Sequence, residues 1–219
     1  FDRQRSVDFI GPPDAVENRR EDQTSTGLIA KLSWVINPHW SFETGYDIEH
    51  QQVSEFRQRL TTIRRDAEYD FTAQGVYAKL ENTPIDWLRW NLAYRVDHLS
   101  SDPKNRFVNN GRTLVTTLLD DQTIVQPKLN VFAQLSAQQT LFANAGRSFQ
   151  TPTGTDLNTR GGTLPVDVAI NDGWEIGLKS AWANDLNTRF SYWQQNAQDE
   201  FISIDGTRRL LGATRRQGL

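Results

Sequence analysis

Apolar and polar residues alternate along several stretches of this chain, and the alternation restarts after each of four short polar turns. After Asn37-Pro38-His39, the residues Trp40, Phe42, Thr44, Tyr46 and Ile48 alternate with Ser41, Glu43, Gly45, Asp47 and Glu49. After Thr83-Pro84-Ile85-Asp86, Leu88, Trp90, Leu92, Tyr94 and Val96 alternate with Arg89, Asn91, Ala93, Arg95 and Asp97. Ser136-Ala137-Gln138-Gln139 and Asn184-Asp185 are the other two turns, at nearly even spacing. Side chains of a strand point alternately to opposite faces, so each of these strands has one apolar and one charged face. A face carrying Arg, Asp and Glu is too polar for the packed interior of a small soluble barrel. The pattern predicts an all-β, antiparallel up-and-down transmembrane β-barrel, with lipid outside and water or a plug inside.

Strands are predicted over about 24–36, 40–50, 66–81, 87–99, 126–135, 140–150, 173–182, 186–204 and 209–219. A strand end at 1–10 and a polar loop to about 23 precede them. Long polar segments at about 51–65, 100–125 and 151–172 alternate with the short turns. In outer-membrane barrels short turns are periplasmic and long loops extracellular, so the alternation orients the chain. Phe42-x-x-Gly45-Tyr46-x-Ile48-Glu49-His50 matches Trp90-x-x-Ala93-Tyr94-x-Val96-Asp97-His98 at an offset of 48, a repeated structural demand. Trp34, Trp40, Trp87, Trp90 and Trp182 all lie near the short turns. This is the placement of a membrane-interface girdle, where ring and N–H are both satisfied. Between Tyr69-x-Phe71-x-Ala73 and Val76-x-Ala78-x-Leu80 the apolar parity switches, and Gly75 is the expected site of a bulge.

Composition narrows the classes. The 219 residues are 23% charged and 37% hydrophobic, with mean hydropathy -0.62. No run approaches the ~18–20 apolar residues of a membrane helix. A barrel tolerates low hydropathy because only alternate residues meet lipid. A net charge of -3 argues for neither nucleic acid nor an acidic substrate. With no cysteine, disulfides, thiolate metal sites and cysteine nucleophiles are excluded. The chain has no methionine, begins at Phe1 without a signal peptide and ends at Gly218-Leu219 as if cut through a strand, so it is expected to be a fragment of a mature chain. His39, His50 and His98 show no zinc or iron spacing, and no protein-bound metal or cofactor is expected. Asp97-His98 with Ser100 and Ser101 has the residue types of a hydrolytic triad, but strand neighbours point apart, so no enzyme is expected.

The ordered series in the second half carries a resemblance. Pro127-Lys128-Leu129-Asn130-Val131 and Leu141-Phe142-Ala143-Asn144-Ala145-Gly146-Arg147-Ser148-Phe149-Gln150-Thr151-Pro152 resemble an aromatic-rich hairpin of TonB-dependent outer-membrane receptors, ending in Gly-Arg-x-Phe-x-x-Pro. Glu175-Ile176-Gly177-Leu178-Lys179-Ser180, then Phe190-Ser191-Tyr192-Trp193 through Glu200-Phe201-Ile202, resemble the family's next strands. Gly212-Ala213-Thr214-Arg215-Arg216-Gln217-Gly218 resembles a following segment, and Gly75-Val76-Tyr77-Ala78 with Tyr94-Arg95-Val96-Asp97-His98 fit the preceding hairpin. The similarity covers most of the chain from about residue 26.

The resemblance implies that residues 1–219 are part of a larger barrel of about 22 strands, not closed by itself, without its plug domain, TonB box and C-terminal strands. It implies import of a ferric siderophore or similar scarce chelate through the cell outer membrane, energised by the TonB complex. A receptor for a non-iron cofactor or vitamin, a passive porin-like channel and a soluble β-rich adhesin are the alternatives. Anionic chelates favour Arg and Lys, and flat chelates favour aromatic rings. Candidate ligand contacts are Arg95 on the lumen face, Lys104, Arg106 and Phe107 in one loop, and Arg147, Phe149 and Gln150 before another; lumen charge pairing or loop solvation is the plainer role for each. Arg57, Arg59, Arg64 and Arg65 either meet lipopolysaccharide phosphate or are solvated.

Overall fold

The alternating stretches pair with their chain neighbours through the short turns. The computed structural model describes residues 2–9, 17–59, 62–101, 106–109, 112–115, 121–151, 168–182, 186–198, 200–204, 207–210 and 212–219. The strands are β1 (Asp2–Phe9), β2 (Glu17–Asn37), β3 (Trp40–Arg59), β4 (Thr62–Ile85), β5 (Leu88–Ser101), β6 (Arg106–Asn109), β7 (Arg112–Val115), β8 (Gln122–Gln134), β9 (Gln139–Gln150), β10 (Ala169–Ala181), β11 (Asn187–Gln198), β12 (Phe201–Ile204), β13 (Thr207–Leu210) and β14 (Thr214–Gly218). Among the described residues the main sheet runs β1-β2-β3-β4-β5-β8-β9-β10-β11-β14, antiparallel throughout and open at both ends. This is the expected up-and-down order. The turns are locally closed: the Asn37 side chain accepts the N–H groups of His39 (2.9 Å) and Trp40 (3.0 Å). The His39 carbonyl accepts from the Thr83 N–H at 2.9 Å and the Asn82 amide at 3.0 Å, joining the first turn to the second.

The strands reach further than hydropathy predicts. Segment 51–65 is not a loop: β3 runs to Arg59 and β4 starts at Thr62. A 24-residue β4 extends about 80 Å, whereas a membrane crossing takes ~9–11 residues. Where both faces carry polar side chains, as at Glu21↔Glu55 on one and Asp22↔Ser54 on the other, the backbone ladder continues without apolar alternation to reveal it. Likewise β8 begins at Gln122 and β10 at Ala169, the predicted 186–204 strand divides into β11 and β12, and 209–219 divides into β13 and β14. Part of the 100–125 segment forms the β6–β7 hairpin. The β6 strand pairs with β4 from Arg65↔Asn109 to Glu68↔Arg106, beyond the last β4–β5 pair, Phe71↔Ser101.

Register gives the sheet two faces. Across the strands Phe42, Leu80, Leu92, Leu129, Ala145 and Trp174 are successive partners, as are Trp90, Val131, Ala143, Ile176 and Tyr192. Many residues of this apolar face are exposed, including Leu32, Val76, Leu92, Tyr94, Leu129, Ile176 and Phe190. No bulge occurs at Gly75: the register of β4 is unbroken from Phe71 to Asn82 against β5, and from Asn82 back to Arg65 against β3, where the Arg57/Gln58 shift interrupts it. Phe71 and Ala73 therefore stay on the polar-face parity. They are apolar because they pack there, in a cluster of Phe71, Leu99, Ile124 and Val168 with Ala73, Phe149 and Ile170 against it. That cluster lies where β8 and β9 part: their ladder ends at Lys128↔Gly146, beside Pro127, which has no N–H to donate.

The strands are also tilted. Phe42 is in register with Leu80 and then Leu92, two residues from its repeat equivalent Trp90. Two residues of stagger over two strand steps, at ~3.3 Å per residue and ~4.8 Å per strand, is a tilt of about 35°, as in a barrel wall.

Candidate functional site

The polar face carries the chemistry, and its best-satisfied unit centres on Arg95 of β5. The guanidinium donates to Asp47 from Nη1 (2.6 Å) and Nη2 (2.8 Å). It donates to Asp97 from Nε (2.9 Å to each oxygen) and from Nη2 (2.6 Å). The Gln126 amide closes the far side by donating to Asp97, which is buried. Gly75 lies beneath: a Cβ there would stand 2.1 Å from Arg95 Nη2. A neighbouring unit joins Lys31 to Glu43 at 2.7 Å, with the Tyr77 hydroxyl donating to Glu43 at 3.0 Å. Gly45 makes room for the Tyr77 ring, 2.4 Å from where a Cβ would sit.

Further across the sheet, on β8 to β11, the face changes character. Glu175 of β10 accepts from Arg189 at 2.6 and 2.7 Å and from Asn144 at 3.3 Å. The Phe142 ring is buried, with Arg189 4.6 Å and Lys179 5.2 Å from its centroid. Gly177 is the floor for that ring, since a Cβ would lie 2.6 Å from Phe142 Cζ. Arg89 lies 5.0 Å over Phe132. None of this aromatic and cationic set was singled out as a site from the sequence, although the spacing Glu175-x-Gly177-x-Lys179 places all three on one face.

The candidate ligand residues do not converge. Arg95 is committed to Asp47 and Asp97. Arg147 stands on the apolar-face parity at the end far from the turns, bidentate to Asp172 at 2.8 and 3.0 Å. Phe149 packs on the apolar cluster, and Gln150 is in register with Ala169. Arg106 and Phe107 lie on β6 opposite Glu68 and Ala67. Lys104 lies outside the described residues. Arg57 and Arg59 end β3, and Arg64 and Arg65 begin β4, with Arg57 opposite Arg65.

Trp34, Trp40, Trp87, Trp90 and Trp182 are on the turn side. Trp34 stacks on Phe42 at 5.7 Å, and Trp40 meets Trp90 edge-on at 5.6 Å. Trp87 is exposed, and Trp182 donates from Nε1 to Thr188 at 2.9 Å. His39 lies 2.8 Å from the Thr83 carbonyl, His50 3.0 Å from Thr72 Oγ1 and His98 3.2 Å from Thr123 Oγ1. Asp97 and His98 point to opposite faces and do not pair. Among the described residues no three His, Asp or Glu side chains group to hold a metal. Among the described residues no helix is long and apolar enough to cross a membrane.

The family model for the TonB dependent receptor-like β-barrel matches residues 1–219. The chain is 30% identical over 116 residues to the metal-pseudopaline receptor CntO of Pseudomonas aeruginosa, a stretch covering 53% of this chain and 16% of that relative. The ferric citrate transporter FecA in its unliganded form is similar in fold, with a TM-score of 0.72 and 17% identity over 99% of this chain and 33% of that one. The ferric yersiniabactin uptake receptor FyuA from Yersinia pestis has a TM-score of 0.70 and 12% identity over 98% of this chain and 34% of its own. The copper transporter OprC has a TM-score of 0.65 and 14% identity over 92% and 34%. The chain thus matches about a sixth of the curated relative's length and a third of the solved structures.

Proposed function

Because this chain belongs to the TonB-dependent receptor-like β-barrel family, whose members are outer-membrane receptors and transporters rather than enzymes, we propose that it forms part of the wall of a receptor importing a metal chelate. The apolar face meets lipid and the polar face lines the lumen. Short turns lie in the periplasm, and the extended ends of β2, β3 and β4 with the β6–β7 hairpin stand outside the cell. The cargo is a ferric siderophore or a chemically similar chelate, and uptake is energised through TonB by parts of the receptor outside these residues. The Arg-rich outer ends of β3 and β4 meet lipopolysaccharide phosphate.

The observation that carries the cargo assignment is the 30% identity to a receptor named for a metal chelate. Ligand contact falls to Lys104, Arg106 and Phe107 before Arg95 or Arg147, because the latter two cations are already bidentate to carboxylates. The test is uptake by cells in which the full-length gene is deleted and restored, scanned over ferric chelates, other metal chelates and non-iron cofactors. Loss confined to one metal chelate supports the proposal. Loss confined to an organic cofactor moves the receptor to the vitamin branch. Uptake that persists without energy coupling makes it a passive channel.

A further inference from the structure

Glycine weakens a strand interior and is kept where a bulge, a neighbouring side chain or a close approach needs the space. On β9, β10 and β14 three polar-face glycines are explained by what covers them. The Lys128 stem crosses Gly146, the Phe142 ring covers Gly177, and the Trp193 ring lies on Gly218 with three of its atoms 3.0–3.1 Å from where a Cβ would stand. Gly173 is different. Register runs unbroken past it on both sides, so it is no bulge. Among the described residues a Cβ there would meet only the Gln194 carbonyl, at 3.5 Å.

Gly173 faces Gly146 across the β9–β10 ladder, and together they floor a hollow of about 230 Å³. Asn144, Ser148, Asn171, Trp193 and Gln195 line it. It stands about 30 Å from the Asn184-Asp185 turn, at ~3.3 Å per residue along a wall tilted by about 35°, in the outer half of the barrel. The hollow is polar but almost uncharged. Gln195 donates from Nε2 to Asn171 Oδ1 at 2.9 Å, which leaves the Asn171 amide donors and Gln195 Oε1 outstanding. Glu175 at the lower rim is held by Arg189 and Asn144, and Arg216, in register with Gln195, is held by Glu200. Lys128 borders the hollow from β8, with no carboxylate partner among the described residues.

We propose that this hollow is a subsite for an uncharged ring of the cargo, bearing hydroxyl or amide groups and lying over Gly173 with Trp193 beside it. The inference deepens the importer reading and rests on it. The volume is below the ~300–1,000 Å³ of pockets that take a whole drug-sized ligand, so the site reads one ring of the chelate and not its metal centre. Trp193 supplies an apolar face, and the Asn171–Gln195 pair offers a donor and an acceptor to neighbouring substituents of one ring. A polyanion would meet neutral amides, a single cation and the Glu175 carboxylate below them.

The test uses the full-length receptor in detergent micelles, labelled with 5-fluorotryptophan, with the Trp193 resonance assigned through Trp193→Phe. The probe is myo-inositol, an uncharged ring of hydroxyls, and citrate, acyclic and polyanionic, is the comparison. Saturable movement of the Trp193 signal by myo-inositol is expected, with none from citrate at the same concentration. Gly173→Val fills the hollow and should abolish the response; a Cβ has room there, so the variant should fold. Gln195→Leu should weaken binding about fivefold, as for the loss of one neutral hydrogen bond. Unchanged heat-modifiable gel mobility verifies folding, and Gln195→Leu decides the matter if Gly173→Val fails that check. A Trp193 signal unmoved by myo-inositol, an equal response to citrate, or a response that survives both variants would overturn the proposal. Loss of chelate uptake in the deletion strain with no myo-inositol response refutes the subsite alone, whereas a myo-inositol response without any chelate import refutes the importer reading.

Discussion

Replacing Arg95 with Met keeps the aliphatic stem and removes the cation from between two carboxylates. Five N–H···O contacts of 2.6–2.9 Å are lost. Adding about 1.5–3 kcal/mol for each would overstate the loss, because the contacts share one guanidinium and water already competes for it. The better guide is what remains: Asp97, 4% exposed, would keep Gln126 and face Asp47 with no cation between. Breaking a buried pair from one side costs about 3–5 kcal/mol. The Arg95 side chain is 29% and Asp47 31% exposed, so hydration recovers part of that, and about 3 kcal/mol is expected. That is a little over a hundredfold in the unfolding equilibrium. Reversible urea unfolding of the full-length receptor in detergent micelles measures it. The triple variant D47N/R95M/D97N should recover most of the loss, because no carboxylate is then stranded. A shift below about 0.5 kcal/mol for R95M, or a triple variant no better than R95M, would refute the account.

Leu92 and Ala93 are strand neighbours on opposite faces, so Leu92→Arg should cost about 2–4 kcal/mol of stability in bilayers and Ala93→Arg far less, read by parallel refolding titrations. Equal costs would mean that the faces are misassigned. Glu200, beyond the end of β11, accepts from the Thr214 hydroxyl and pairs with Arg216, and both hold its carboxyl below the ordinary carboxylate range. A depressed folded-state pKa stabilises above the unfolded value and loses that contribution as pH falls through the depressed one. Glu200→Gln should therefore lower stability slightly at neutral pH, leave it unchanged at strongly acidic pH where the carboxyl is protonated, and flatten the limb between, whereas an unaltered acid limb would show the pairing to be absent in solution.

Legibility from sequence followed the solvent. Where lipid constrains one face, alternation is forced, and the strands around Trp40–Ile48 and Leu88–Val96 are read nearly to the residue. Beyond the apolar band water accepts either face, so Glu17–Gln23 and Gln51–Arg59 leave no periodic trace although they pair throughout. The single-sequence pattern also hid those polar contacts whose members come from strands that do not follow one another in the chain. Arg95 finds Asp47 across the whole width of β4, and Arg89 finds Phe132 after the long segment that follows β5.

The repeat nevertheless contained the key to that pair. Its offset of 48 sets Asp47 against Arg95, opposite charges at equivalent positions. In a tilted wall, equivalent positions share a height in the membrane but not a register: Asp47 is in register with Gly75 and Asp97, and Arg95 lies two residues from that register along β5, toward the short turn. A side chain running horizontally between them must cross β4 diagonally, over the backbone rather than past a side chain. Gly75 is the residue crossed, and a methyl group there would strike the guanidinium at 2.1 Å. The glycine that breaks the apolar parity of β4 is thus no bulge. It is the clearance through which a barrel's tilt lets two strands that are not neighbours exchange charge.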